Sequence, residues 1–179
     1  MKFFALVAFL CLSLTAGGFE NCRVKYDVLY TIASVESHPK RAVGYPFIIS
    51  FNNKAEMQKI QEAGVLRGLM YEKLDNRSLD CKDLKTCSTL LQTLLSHKIT
   101  NLDLGAFQLN YRFVRLQQEE YFLIESSMRE ACRILMELNQ RYGDWNMEIL
   151  AKYHSYRPKY NKKYQKLLLQ HYEAIHANH

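Results

Sequence analysis

Glu36 is a candidate acid–base catalyst in this 179-residue chain, because it lies at the end of an apolar helical stretch and directly before Ser37. Taken alone, a glutamate at a helix end is more often a surface residue. The negative end of the helix dipole disfavours a carboxylate there by roughly 0.3–1 kcal/mol, which favours the protonated form. Burial must add the rest before Glu36 can act as a general acid near neutral pH. We expect Ser37 to hydrogen-bond the carboxyl group and hold its rotamer.

A second group of reactive side chains lies in residues 101–110, where polar and apolar residues alternate. Gly105 allows a close backbone approach or an unusual dihedral angle. Gln108 and Asn110 carry amides that donate and accept hydrogen bonds, which suits sugar hydroxyls and N-acetyl groups. Asp103 has two possible roles: it caps a short following helix, the more frequent role on general grounds, or it is a second catalytic carboxylate.

A third group lies in residues 151–158, where Tyr153 offers a hydroxyl and a flat face for a sugar ring. His154 follows it, but no Ser or Cys lies in a recognisable nucleophile setting, so a His-based triad has little support. His176 and His179 lie in a tail, where we expect them to be solvated. The sequence predicts no metal site and no cofactor.

Segments with helical spacing of apolar residues surround these groups and must position them. Helices are predicted over residues 21–35, 54–69, 79–95, 126–142, 145–154 and 161–175. Gly143 is the expected cap of the strongest helix. Residues 47–51 are predicted as a short strand or an extended loop, and residues 100–110 as a loop running into a short helix. The sequence therefore predicts a mostly α architecture.

The N-terminus resembles an export signal, with Lys2 first, an apolar run over residues 3–14 and small residues at 15–18. The run is shorter than the roughly 20 apolar residues of a membrane span. Cleavage after Gly18 would leave residues 19–179 as one domain. We expect a soluble periplasmic or secreted protein, with no stable membrane insertion.

Composition and charge exclude several classes of protein. A hydrophobic fraction of 48% and an aromatic fraction of 12% argue against disorder and low-complexity sequence. The net charge of +6 suits an anionic target. Lys and Arg cluster only around residues 152–166, where they would face anionic cell-wall groups or water, so no nucleic-acid partner is predicted.

Four cysteines follow the export signal, and the even number suits an oxidising compartment. They are Cys22, Cys81, Cys87 and Cys132. No spacing has the CxxC form, so a zinc or thioredoxin-type site has little support. Three pairings are possible and the sequence does not choose among them; we favour a local Cys81–Cys87 bond with a long-range Cys22–Cys132 bond.

In this order, the three groups resemble the motifs of lytic transglycosylases with the SLT or goose-lysozyme-like domain. The small periplasmic members that accompany secretion and conjugation machines are the most similar. That family has a helix ending in Glu-Ser, a segment like DxGxxQIN and a segment like YHSxxPxxN. Here they correspond to Glu36 with Ser37, residues 103–110 and residues 153–161. The resemblance spans about residues 21–164.

The resemblance implies a mainly α, lysozyme-like single domain, with residues 54–99 as a helical insertion and 161–179 as a C-terminal helix and tail. It implies a lyase that cleaves the β-1,4 bond between N-acetylmuramic acid and N-acetylglucosamine in peptidoglycan, without a cofactor. Glu36 would protonate the glycosidic oxygen and then deprotonate the muramyl 6-hydroxyl, leaving a 1,6-anhydro end. The implied partners are peptidoglycan glycan strands and a cell-envelope secretion or conjugation machine.

The resemblance also implies substrate-binding residues, which are Ser37, Gln108, Asn110 and Tyr153. Asp103 keeps a second reaction open, because hydrolytic muramidases use two carboxyl groups, about 5–5.5 Å apart in retaining and about 6.5–9.5 Å apart in inverting enzymes. A non-catalytic peptidoglycan-binding scaffold is the third hypothesis. It predicts loss of the acid or of the amides, and this sequence has both.

Overall fold

The computed structural model describes residues 22–143 and 145–177. The α-helices in these ranges are α1 (Tyr26–Glu36), α2 (Lys54–Glu62), α3 (Leu84–Ser96), α4 (Ile124–Tyr142), α5 (Met147–Leu150) and α6 (Pro158–His176). The strands are β1 (Ile48–Phe51), β2 (Glu72–Lys73), β3 (Ser78–Asp80), β4 (Leu102–Leu104) and β5 (Leu109–Asn110). Helices predominate, as the sequence predicts. The export signal proposed for residues 1–18 lies outside the described residues.

The strands form one antiparallel sheet in the order β2-β3-β1-β4-β5. Because strand side chains alternate between faces, the register gives the sheet an apolar face and a polar face. The apolar face packs into the core with Ile49, Leu79, Leu104 and Leu109. The polar face carries a row across four strands, which is Ser78, Ser50, Asp103 and Asn110. We call these four residues the polar row.

The sheet corrects two sequence predictions. Residues 54–99 are not purely helical, because β2 and β3 lie within them and extend the sheet from β1. Residues 100–110 form the β4–β5 hairpin instead of a loop leading into a short helix. The alternation of Leu102, Asp103 and Leu104 is the period of a half-buried strand, and pairing with β1 lets it form.

Gly105 occupies the turn of the β4–β5 hairpin, where it has both a close backbone approach and an unusual dihedral angle. Its φ of 73° is left-handed, and a Cβ atom there would overlap the carbonyl oxygen of Tyr121. Only glycine fits both conditions without strain. The turn therefore brings the hairpin close against the segment before α4.

The long helices agree well with the apolar spacing. α4 ends at Tyr142 with Gly143 as its cap at a φ of 86°. α6 runs antiparallel to α1: Asp27 lies 3.5 Å from His176, and Ser34 Oγ lies 2.7 Å from His171 Nδ1. This packing holds the end of α1, and with it Glu36, against α6.

Two disulfides connect the elements. Cys22 and Cys132 join the segment before α1 to α4, with their Cα atoms 6.0 Å apart. Cys81 and Cys87 join the end of β3 to α3, with their Cα atoms 5.0 Å apart. These are the two pairs that we favoured among the three possible pairings, and they are compatible with an exported protein.

Within residues 22–143 and 145–177, no helix combines the length and the apolar character needed to cross a membrane.

Candidate active site

Glu36 is the last residue of α1, and its side chain is only 13% exposed. The hydroxyl of Tyr164, from α6, donates a hydrogen bond of 2.5 Å to Glu36 Oε1. Burial raises the pKa of Glu36 to about 8; the Tyr164 hydrogen bond lowers the value, and the nearby charge of Asp103 raises it further. Glu36 is therefore largely protonated at neutral pH.

Asp103 lies in the middle of β4, within the polar row. Asn110 Nδ2 donates hydrogen bonds to Asp103 Oδ1 at 2.8 Å and to Asn101 Oδ1 at 3.1 Å. Burial raises the pKa of Asp103, while the Asn110 hydrogen bond and the charge of Arg77 lower it. The strand position rules out the helix-capping role. Asp103 instead lies close enough to Glu36 to influence its protonation.

Tyr153 and Gln108 both support the turn of the β4–β5 hairpin. Tyr153 donates from its hydroxyl to the carbonyl oxygen of Phe107 at 2.8 Å. Gln108, at a φ of 46°, donates from Nε2 to the carbonyl oxygen of Gly105 at 2.8 Å. Burial and the charges of three carboxyl groups, Glu36, Asp103 and Glu130, raise the pKa of Tyr153 well above its ordinary value, so the phenol stays neutral. Contact of either side chain with substrate remains a prediction.

His154 lies next to Glu36 and has a half-exposed side chain. Its ring stacks on Tyr164 with centroids 4.7 Å apart, and its Nδ1 lies 3.9 Å from Glu36 Oε1. Burial lowers the pKa of His154, and the charges of Arg77 and Lys163 lower it further. A neutral imidazole therefore faces a protonated carboxyl at neutral pH. We assign His154 no triad role.

Ser37 does not make the hydrogen bond that we expected from the sequence. Its hydroxyl donates to the carbonyl oxygen of Ala33 at 2.6 Å and accepts from the backbone N–H of Gly44 at 3.3 Å. Ser37 thus closes the end of α1, and Tyr164 holds the Glu36 carboxyl instead. A tyrosine on the apolar face of α6 needs a partner for its hydroxyl. This requirement was the signal in the sequence that the Tyr164 hydroxyl has a polar partner. Only the packing of α6 against α1 identifies that partner as Glu36.

The arrangement can transfer a proton and stabilise a positive charge. A protonated Glu36 stands near Asp103, whose charge acts on it, and Ser50 and Asn110 of the polar row lie on either side of Asp103. These are the groups that glycoside cleavage through an oxocarbenium-like transition state requires. Across the described part of the chain, no group of three or more His, Cys, Asp or Glu side chains is arranged to hold a metal ion.

The chain matches no protein-family model, no curated protein and no solved structure in the comparisons made. The resemblance to lytic transglycosylases therefore rests on the three motifs and their order. The site geometry is an independent argument, because it depends on burial and contacts instead of sequence likeness.

Proposed function

We propose that this protein is a peptidoglycan lytic transglycosylase, which cleaves the β-1,4 bond between N-acetylmuramic acid and N-acetylglucosamine and forms a 1,6-anhydro ring. The observation that supports this proposal is the buried Glu36, whose pKa is raised to about 8. A carboxyl group that stays protonated at neutral pH can donate a proton to a glycosidic oxygen.

The reaction begins when Glu36 gives its proton to the glycosidic oxygen and the bond to the anomeric carbon breaks. In this proposal Asp103, whose charge acts on Glu36, offsets the positive charge that develops on the sugar. The Glu36 carboxylate then takes the proton from the muramyl 6-hydroxyl, whose oxygen bonds to the anomeric carbon. The proton returns to Glu36, and no water is consumed. The Tyr164 hydrogen bond stabilises the carboxylate between these steps.

Asp103 favours one alternative, a hydrolytic muramidase. Its charge helps to keep Glu36 protonated, which is the division of roles between the two carboxyl groups of retaining glycosidases. In that reaction water replaces the 6-hydroxyl, and Asp103 is required for turnover. In the anhydro-forming reaction a single acid carries the proton transfers.

Mass spectrometry of the products distinguishes these reactions. The protein is incubated with purified peptidoglycan, beside the variants Glu36→Gln and Asp103→Asn. The variant Glu125→Gln makes the same chemical change as Glu36→Gln at an exposed position of α4 and serves as the matched control. Products lighter than reducing-end muropeptides by one water molecule, absent with Glu36→Gln, are expected.

Two results would contradict the proposal. Reducing ends that depend on both Glu36 and Asp103 would identify a muramidase. No products from the unaltered protein, together with retained binding to peptidoglycan, would identify a non-catalytic scaffold.

The proposal has the protein acting outside the cytoplasmic membrane, where peptidoglycan lies. The two disulfides support an oxidising location. A secretion or conjugation machine as partner follows only from the sequence resemblance and is part of the proposal.

A further inference from the structure

An open, shallow cleft of about 420 Å³, lined by polar residues, lies between the β1–α2 turn and the β2–β3 turn. Its lining side chains are Asn52, Asn53, Lys54, Asp75, Asn76 and Arg77. We call this space the insertion cleft, because most of it belongs to residues 54–99. The sequence motifs assign this cleft no role.

Arg77 is held rigidly at one wall of the insertion cleft. Its carbonyl oxygen accepts a hydrogen bond of 2.8 Å from the backbone N–H of Phe51, and its Nε donates to the carbonyl oxygen of Phe51 at 2.9 Å. Among the described residues, the two terminal guanidinium nitrogens of Arg77 have no hydrogen-bond partner, and the side chain is exposed. A fixed guanidinium with free N–H groups is suited to bind a carboxylate through two hydrogen bonds.

The guanidinium of Arg77 also lies near the candidate active site. Arg77 directly precedes Ser78, the first residue of the polar row. Burial is the largest influence on the pKa values of Asp103 and His154, and the charge of Arg77 lowers both values. The charge of Arg77 therefore acts on two residues of the candidate active site, Asp103 and His154.

The charge that the insertion cleft presents to a ligand is positive. Asp75 is its acidic side chain, but Asp75 Oδ1 already accepts hydrogen bonds of 2.7 Å from the backbone N–H groups of Arg77 and Ser78. Asp75 Oδ2 lies 3.2 Å from His38 Nε2. Lys54 and Arg77 remain exposed toward the cleft.

We propose that Arg77 is a specificity-determining residue that binds a carboxylate carried by the glycan strand, with Lys54 adding positive charge beside it. This inference rests on the proposed function. Muramic acid offers such a carboxylate on its lactyl group when the strand is free of peptide, or on the stem peptide when it is not. Both sources have the same chemistry, and the experiment separates them.

Binding is measured on Glu36→Gln, which leaves glycans uncleaved, with and without Arg77→Gln. The ligands are a neutral N-acetylglucosamine oligosaccharide, a peptide-free N-acetylglucosamine–N-acetylmuramic acid oligosaccharide, and the same oligosaccharide with stem peptides. We expect Arg77→Gln to weaken carboxylate-bearing ligands about 10-fold, which corresponds to about 1.4 kcal/mol, and to leave the neutral ligand unchanged. Weakening of the peptide-free muramyl ligand alone indicates the lactyl carboxylate, and weakening of the peptide-bearing ligand alone indicates the peptide carboxylate. Weakening of both indicates that Arg77 binds a carboxylate from either source.

Two further variants sharpen the result. Arg129→Gln removes the same charge from an exposed position on α4, outside the insertion cleft, and should leave all affinities unchanged. Arg77→Lys keeps the charge and should restore part of the affinity for carboxylates. Thermal unfolding of each variant checks that the fold is retained.

An equal loss of affinity for the neutral ligand would assign Arg77 a structural role and overturn the inference, as would unchanged affinity for every ligand. If the unaltered protein still releases muropeptides in that case, the proposed function stands without this inference. If it releases no products and Glu36→Gln binds none of the glycans, the proposed function fails and the inference fails with it.

Discussion

Two buried carboxyl groups, Glu36 and Asp80, have opposite electrostatic surroundings. Asp80 is fully buried, and burial by itself would raise its pKa. Four donors lower that pKa below the ordinary value instead. They are the backbone N–H of Lys82 at 2.7 Å, Arg41 Nε at 2.6 Å, the Tyr45 hydroxyl at 3.0 Å and Lys82 Nζ at 3.2 Å. Asp80 thus stays ionised and joins the loop after α1 to the sheet.

Glu36 lacks such cationic partners within the described ranges. Its recorded hydrogen bond comes from the neutral Tyr164, and its close charged neighbour is another carboxyl group, Asp103. The comparison teaches that the partners of a buried carboxyl decide its protonation, since burial alone pushes both pKa values upward. Asp80 is satisfied as an anion and stabilises the fold, whereas Glu36 remains able to give up a proton.

The largest expected effect is on activity. Glu36→Gln should lower muropeptide release at least about 1,000-fold, because a general acid is lost. The Asp80→Asn variant should keep most of the activity per folded molecule, because Asp80 does not belong to the candidate active site. Initial rates, normalised to the folded fraction, provide the measurement. Substantial turnover by Glu36→Gln would contradict the proposal that Glu36 is the general acid.

The next effect is on stability. Asp80→Asn should lower the free energy of unfolding by about 3 kcal/mol, because Arg41 and Lys82 lose their shared anion in a buried position. Urea unfolding at neutral pH measures the change, and Glu36→Gln in the same assay should show no such loss. A change below about 1 kcal/mol for Asp80→Asn would mean that the ion pairs of Asp80 with Arg41 and Lys82 contribute little to stability.

The two carboxyl groups should also impose opposite pH dependences on stability. The pKa of Glu36 rises from an ordinary 4.5 to about 8, so its contribution is complete below pH 4.5 and is lost as the pH rises toward 8. The pKa of Asp80 is lowered, so its contribution is lost as the pH falls. Relative to the unaltered protein, Glu36→Gln should therefore gain roughly 2 kcal/mol between pH 6 and pH 8. Urea unfolding across this range checks the sign, and a constant difference would contradict it.

The smallest expected effect concerns Tyr164. Activity should fall as the pH rises above about 8, because Glu36 loses the proton that it must donate. The Tyr164 hydrogen bond lowers the pKa of Glu36, so Tyr164→Phe should move this decline to higher pH. Rate profiles against pH provide the test. Tyr160→Phe, at an exposed position of α6, is the matched control and should leave the profile unchanged.

Local patterns in the sequence predicted the elements whose stability is local. The apolar spacing of α4 and α6 and the glycine caps and turns belong to single segments, so the sequence contains them. The strands β2, β3 and β4 were missed or misassigned, because they exist through pairing. Ser50 aligns with Ser78 and Asp103, which lie far along the chain, and no local pattern specifies such partners.

The sequence by itself predicted that Glu36 lies at the end of a helix, that Gly105 allows a close approach or an unusual dihedral angle, and that Cys81–Cys87 and Cys22–Cys132 are the favoured disulfides. Only the tertiary structure decided that Glu36 is protonated. Its pKa depends on burial, on a hydroxyl from α6 and on a carboxyl from β4, and these groups meet only when the chain is folded. Electrostatic interactions depend on distances in the folded chain. The sequence therefore identifies a candidate acid but does not determine its pKa.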